Sequence, residues 1–418
     1  MHALCTRSLA WTAALGAATL WVSLASAQPA PTKPSTQPPA TKASAAKGSA
    51  AKSNKASAPN PKAAPVADPT APEQEGTAAA KFAKTFEDWK TLLKDLRKLK
   101  AQFPTATSAE QDQLREQWTV LLAKGNELMP QLTTAAREAY AEQPNADPQL
   151  TRFLVKMAAD AIGRDEYQTA RDISQILIDN EVDDKQVYDS AAIAAYVLND
   201  YDQAAKHFKV AAEAGALSTY GSQLASNVEE QKELWAKEQE IRKAEEEAND
   251  LPRVKLTTSQ GEIVIELFEN EAPETVANFV KLVQDKFYDG LTFHRVLPNF
   301  MAQGGDPKGD GSGGPGYTIF DEFGKPEYRR HFRGSLSMAK TQEPDTGGSQ
   351  FFLTFRPTPE LNGRHTAFGR VIEGEEVLAK LQRRDPSGDP PLPEPDRILS
   401  AELLRKRDHA YEPRKVGQ

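Results

Sequence analysis

The sequence predicts a multidomain chain, with an all-α region of helical hairpins followed by a mainly-β closed barrel. Three observations carry that expectation. Between Lys81 and Asp250 apolar residues return at three- and four-residue steps, the period of one helix face. Beyond Pro252 the period drops to two, and the many short apolar runs that follow are separated by glycines with few helical stretches among them. At 418 residues the chain is also longer than a single core usually serves. The expected boundaries are a leader at 1–27, a linker at 28–78, a helical domain at 79–250, a β domain at 251–410 and a tail at 411–418.

The leader combines Arg7, the apolar stretch LAWTAALGAATLWVSLA and the small-residue site Ala25-Ser26-Ala27, the pattern of a secretory signal. A secreted or periplasmic protein is expected. The alternative is an uncleaved N-terminal anchor, for which the stretch is marginal in length, and only in that case is a membrane involved. Cleavage after Ala27 removes Cys5, the single cysteine, so the mature chain forms no disulfide and cysteine usage does not reveal its redox compartment. A net charge of -8 gives no general attraction to nucleic acid. Residues 28–78 are rich in Pro, Ala, Lys, Ser and Thr and nearly free of branched or aromatic apolar side chains, so no core forms there and a disordered linker is expected.

Phe82, Phe86, Trp89, Leu92, Leu93 and Leu96 form one apolar stripe, the start of the helical region. Ser108 with Gln111 reads as a capping box opening a second helix through Leu114, Trp118, Leu121 and Leu122. A repeat follows: the segments Asp165-Glu166-Tyr167-Gln168-Thr169-Ala170 and Asp200-Tyr201-Asp202-Gln203-Ala204-Ala205 place Tyr167 on Tyr201 and Ala170 on Ala204, a period of 34 residues. This spacing resembles a tetratricopeptide repeat, which implies paired helices and a concave face suited to a protein partner. A less regular set of helical hairpins, serving as a spacer or dimerisation element, fits the same residues. Residues 228–250 read as a charged helix whose Val228, Trp235 and Ile241 are too sparse for a coiled coil.

In the β domain, VKLTTSQGEIVIELF is a hairpin turning at Gln260-Gly261, with Ile263, Ile265 and Leu267 on the buried face and Glu262, Val264 and Glu266 on the other. Pro273 opens a helix carrying Val276, Phe279, Val280, Val283 and Phe287 on one side. Short strands run on to Phe368-Gly369-Arg370-Val371, and RILSAELL is the last.

Several chemistries are excluded or disfavoured. No G-x-S-x-G elbow occurs, and His294, His331 and His365 lack the spacing of metal ligands. Gly311-Ser312-Gly313-Gly314-Pro315-Gly316 satisfies G-x-G-x-x-G, but Tyr317-Thr318-Ile319 follows where a phosphate site needs a helix, so it reads as a loop. No metal or cofactor is called for.

FHRVLPNFMAQGGDP (293–307), GSGGPGYTIFDEF (311–323), HFRGSLSMAK (331–340), GGSQFFLT (347–354) and LNGRHTAFGRV (361–371) remain. In this order they resemble the signature blocks of a cyclophilin-type peptidyl-prolyl cis-trans isomerase. The resemblance implies a closed eight-stranded barrel with two capping helices and a groove on its outer face. It makes Arg295 the catalytic residue. Phe300, Met301, Phe352, Leu361 and His365 match the pocket for the substrate proline, Gln303 and Gln350 the positions that hold substrate backbone or orient the arginine, and Ala339 the neighbouring groove. The expected partners are proline-containing polypeptides, with no nucleic acid.

Two departures from the family pattern stand out. Glu360 replaces the aromatic residue common before the leucine of the last block, which predicts weak inhibition by cyclosporin. Lys340 stands where Asn is frequent, which shifts the groove towards acidic flanking residues. Two functional readings follow: an exported isomerase assisting protein folding, or a scaffold whose helical repeats bind partners while the barrel only holds proline-containing segments.

Overall fold

The protein is described by a computed structural model over residues 76–388 and 392–417. The expected leader and the linker up to residue 75 lie outside the described residues. Helices α1 (Ala78–Gln102), α2 (Ser108–Glu142), α3 (Pro148–Gly163), α4 (Tyr167–Asp179), α5 (Gln186–Val197), α6 (Tyr201–Glu213), α7 (Thr219–Ala225) and α8 (Val228–Ala248) form the first part. Strands β1 (Arg253–Thr258) and β2 (Gly261–Leu267), helix α9 (Pro273–Gln284), β3 (Arg295–Leu297), β4 (Met301–Gly304), β5 (Ser335–Met338), β6 (Phe351–Thr354), β7 (Ala367–Glu373), the short helix α10 (Val377–Lys380) and β8 (Ile398–Arg405) form the second.

The α1 stripe is buried as its period requires. Phe82 and Phe86 stack at 5.3 Å and both meet Phe153 of α3, while Trp89, Leu93 and Leu96 close on Trp118 of α2 and its neighbours in one core. Each of these side chains contributes roughly 2–3 kcal/mol of burial. The α2 cap falls one residue earlier than expected: Thr107 is the N-cap and Glu110 the reciprocating acid, because a carboxylate at N3 reaches back to the cap amide and hydroxyl at 2.7 Å, leaving Gln111 to bond the carbonyls of Phe103 and Ala106.

The 34-residue repeat appears as one turn made twice. Asp165 and Asn199 adopt left-handed backbone with φ of 63° and 64°, and in each copy the tyrosine two residues on bonds the preceding side chain, Tyr167 to Asp165 at 2.8 Å and Tyr201 to Asn199 at 3.1 Å. Asp and Asn tolerate this conformation best among side-chain-bearing residues.

The eight strands form one antiparallel sheet in the order β3-β4-β6-β5-β7-β2-β1-β8. Among the described residues no ladder joins the edge strands β3 and β8. The chain just ahead of each meets instead: Thr292 bridges Arg397, the Phe293 amide donates to the Asp396 carbonyl, and the Ile398 amide donates to the Leu291 carbonyl. The sheet is therefore curled around Phe279, Val280 and Val283 of α9, which pack with Ile263, Ile265, Phe351 and Leu353. Residues 411–417, read from the sequence as a tail, lie against this domain: Tyr411 is buried, Arg414 pairs with Glu274, and the Val416 amide donates to Thr318.

The second face of the β1–β2 hairpin is not left to solvent. Glu266 is buried beneath α8, whose own buried positions Gln231, Glu238 and Glu245 recur every seven residues. Arg329 joins Glu238 at 2.7 Å and contacts Glu245, Arg370 joins Glu245 at 2.6 Å and Glu266 at 2.7 Å, and Arg253 completes the chain at 2.8 Å. Trp235 of α8 meets Phe332 edge to face at 4.9 Å. The helical region is thus docked on the sheet through buried, mutually paired charges.

Candidate functional site

Strand register assembles the site. Arg295 pairs with Gln303, Gln303 with Phe352, and Phe352 with Ser337, a single row across β3, β4, β6 and β5. The alternate residues Val296, Ala302, Leu336, Phe351 and Leu353 point into the core. The row therefore faces outward, because side chains alternate across a strand. Phe352 is 5% exposed and Met301 2%, yet neither belongs to the core cluster; both lie on the outer face. Phe300 and Arg295 beside them are half-buried.

Among the described residues the Arg295 side chain has no hydrogen bond or ion pair, and its guanidinium stands 6.0 Å from the Phe300 ring centroid. Its donors are free for a ligand. Gln303 donates to the Gln350 side chain at 2.9 Å, and Gln350 in turn donates to the carbonyls of Gly311 and Gly313 at 2.9 and 2.8 Å. The two amides are thereby held in line next to Arg295 without bonding it. The Ala339 amide donates to the Gln350 carbonyl. Gln303, Ala339 and Gln350 border a cavity of about 570 Å³ whose other wall is Gly311–Gly316. That glycine segment is a loop without a following helix. Gly305 at the end of β4 has φ of 82°, and a Cβ there would lie 2.3 Å from the Ser349 carbonyl, so only glycine lets β4 leave the sheet beside Gln350.

Leu361 ends a short 3-10 turn and is half-buried, and the His365 amide donates back to its carbonyl. His365 sits edge-on to Phe352 at 5.5 Å with Nδ1 3.0 Å from the Met338 carbonyl. Burial lowers its pKa against that carbonyl, which favours the neutral ring. Behind Phe352 lies a residue for which the sequence offered no role. His331 is parallel to the Phe352 ring at 6.1 Å, with Nε2 2.9 Å from Ser337 Oγ and Nδ1 3.0 Å from Asn362 Oδ1. Burial pushes its pKa down to about 4, so it is a neutral structural support at physiological pH.

The two departures have structural counterparts. Glu360 is exposed and pairs with Arg356 at 2.7 Å, and the Arg356 guanidinium stands 6.0 Å from the Phe300 ring on which Arg295 also borders. Lys340 is not free: its ammonium lies 3.6 Å from Asp321 and donates to the Glu343 carbonyl at 3.0 Å. The preference for acidic neighbours expected of a free ammonium thus loses its main basis. Among the described residues no three His, Cys, Asp or Glu side chains group as metal ligands.

The outward groove thus brings together a guanidinium unpaired among the described residues, an apolar floor and two amides on an antiparallel sheet. Residues 253–403 match the family model described as cyclophilin type peptidyl-prolyl cis-trans isomerase/CLD. The peptidyl-prolyl cis-trans isomerase of Synechococcus elongatus is 50% identical over 149 residues, which cover 36% of this chain and 94% of that protein. Peptidyl-prolyl cis-trans isomerase-like 2 of Cryptococcus neoformans is 50% identical over 143 residues, 33% of this chain but only 25% of the relative's length. A crystal structure of a Cryptosporidium parvum cyclophilin type peptidyl-prolyl cis-trans isomerase is 35% identical and aligns with a TM-score of 0.35, covering 38% of this chain and 99% of that one. The chain belongs to the cyclophilin-type peptidyl-prolyl cis-trans isomerase family.

Proposed function

We propose that the sheet domain accelerates rotation about X-Pro bonds in polypeptide clients and so assists their folding. The observation that carries this reading is the Arg295 guanidinium, unpaired among the described residues, at one end of the outward row that runs through Gln303 and Phe352. Rotating an X-Pro bond means losing amide conjugation, against a barrier near ~20 kcal/mol, and spontaneous exchange takes tens to hundreds of seconds, roughly. As the bond twists, the proline nitrogen regains its lone pair. Arg295 can donate to that nitrogen, an interaction absent from the planar ground state, so it lowers the barrier and not merely the binding energy.

One preorganised donor contributes roughly 3 kcal/mol, about a hundredfold, whereas an acceleration of ~10⁵ needs near 7 kcal/mol. Phe300, Met301, Phe352 and Leu361 supply the rest by gripping the proline ring and excluding water, while Gln303 and Gln350 hold the client backbone against rotation. His365 transfers no proton in this scheme; its neutral ring is a wall. Isomerisation of a proline tetrapeptide is the test: Arg295→Ala is expected to fall about a hundredfold in kcat/KM with an unchanged circular dichroism spectrum. Equal rates for the two proteins would remove the reading.

The helical hairpins, tetratricopeptide-like in their period, are the part we assign to recruiting a protein partner or client. The leader pattern in residues 1–27 supports export, and protein from fractionated cells is expected to begin at Gln28 in the periplasmic or secreted fraction; a cytoplasmic chain retaining residues 1–27 contradicts that.

A further inference from the structure

The helical region reaches the groove at the β3–β4 turn. Asp165, in the left-handed turn between α3 and α4, is 2% exposed and accepts from three partners. Its Oδ1 takes the Tyr167 hydroxyl at 2.8 Å and the backbone N–H of Asn299 at 2.8 Å, and its Oδ2 takes Arg383 at 2.6 Å. Asn299 and Arg383 both belong to the sheet domain.

Asn299 is the turn between β3 and β4, the residue directly before Phe300, and its own φ is 54°. Asn tolerates this left-handed backbone, so the turn forms readily, and its exact placement is left to the contacts that hold it from outside. It has three anchors. The N–H donates to Asp165, the side-chain oxygen lies 3.1 Å from the Tyr167 hydroxyl, and the carbonyl accepts from Arg356 at 2.7 Å. Two of the three come from the helical region. What they fix is the backbone that presents Phe300 between the guanidiniums of Arg295 and Arg356, each 6.0 Å from its ring.

The second copy of the repeat shows what the turn itself requires. Asn199 makes the same left-handed turn and the same bond to its tyrosine without a charge, and none of its bonds among the described residues reaches the sheet. The acid at Asp165 is therefore surplus to the turn. Burial raises its carboxyl above the ordinary range despite Arg383, so it is poorly explained as a source of stability.

We propose that Asp165, seconded by Tyr167, is a positioning residue of the isomerase groove: through the Asn299 amide the helical region sets the β3–β4 turn and hence where Phe300 stands against Arg295. This rests on the isomerase reading above. Because Arg295 acts on the twisted amide alone, a loosened Phe300 shows mainly in kcat and little in KM.

The test uses the full chain and two replacements compatible with positive φ. Asp165→Gly removes all three contacts and is expected to lower kcat about tenfold on a proline tetrapeptide with KM within about twofold, the scale of a sub-ångström misplacement. Asp165→Asn keeps an acceptor for the Asn299 amide and is expected to restore kcat to within about twofold to threefold of the parent. Circular dichroism and thermal unfolding establish folding. Where Asp165→Gly does not fold, Tyr167→Phe carries the test, with an intermediate kcat loss expected. A folded Asp165→Gly or Tyr167→Phe with parental kcat, or an Asp165→Asn as impaired as Asp165→Gly, overturns the assignment. An inactive parent, or an Arg295→Ala equal to the parent, overturns the isomerase reading instead.

Discussion

Phe352 shows how little a burial value alone says about a side chain's place. At 5% exposure it resembles core, and only its register opposite Gln303 and Ser337 puts it on the groove face. The family blocks marked it from the sequence, whereas its support, His331, was legible only as an isolated histidine, because nothing local reveals a ring stacked across strands. That support has a consequence for pH. A histidine held neutral with its pKa lowered from 6.5 to about 4 contributes fully above 6.5, and as pH falls from 6.5 to about 4 the unfolded chain takes up the proton first, so up to roughly 3 kcal/mol is lost. Urea unfolding across that window is expected to show a shallower decline for His331→Gln than for the parent; parallel declines contradict the role. At the groove rim, the Arg356–Glu360 pair occupies the place of an apolar edge, so cyclosporin is expected to inhibit weakly, and Glu360→Trp to tighten it. Parental inhibition at low nanomolar concentration, measured in the same peptide assay, contradicts this.

Helix α8 is the element whose role the sequence concealed most. Its apolar residues are too few for a hydrophobic stripe, and read by hydropathy it is a solvated helix. The spacing that mattered is polar: Gln231, Glu238 and Glu245 lie seven apart on one face, and the arginine partners of the two glutamates, Arg329 and Arg370, are 84 to 125 residues distant in sequence. Pairing over such separations leaves no local signal. By contrast α1, α9 and the β1–β2 hairpin were legible because each shows its period within a dozen residues. Burial works to raise Glu238, but Arg329 and Arg242 outweigh it and lower its pKa, so its contribution is present above the ordinary carboxylate range and disappears as pH falls through the lowered value. Removing Arg329 takes a shared partner from two buried carboxylates, leaving Glu238 to Arg242 and Glu245 to Arg370. Arg329→Ala is expected to cost roughly 3–5 kcal/mol in chemical unfolding, against less than about 1 for Lys232→Ala, whose partner Asp202 is exposed. Equal costs for the two would show that the α8 contact is peripheral.

Across the whole molecule, the same docking that buries α8 brings Asp165 to the β3–β4 turn, so the helical region and the sheet are mechanically one body. A sequence divided at residue 250 suggests tryptophan emission reporting on the helices alone. The contact of Trp235 with Phe332 at 4.9 Å corrects that, because its emission also senses the sheet. A single unfolding transition is expected, with Trp235 emission and far-ultraviolet circular dichroism coincident; two separated transitions contradict a shared body. Among the described residues no helix is long and apolar enough to cross a membrane. The central claim is that a free guanidinium on an apolar outer face catalyses amide rotation. Magnetisation exchange between the cis and trans forms of a proline tetrapeptide measures this most directly: catalytic amounts of the parent are expected to produce exchange on the millisecond to second scale, and the folded Arg295→Ala protein at the same concentration to produce exchange about a hundredfold slower. Undiminished exchange with Arg295→Ala contradicts the account.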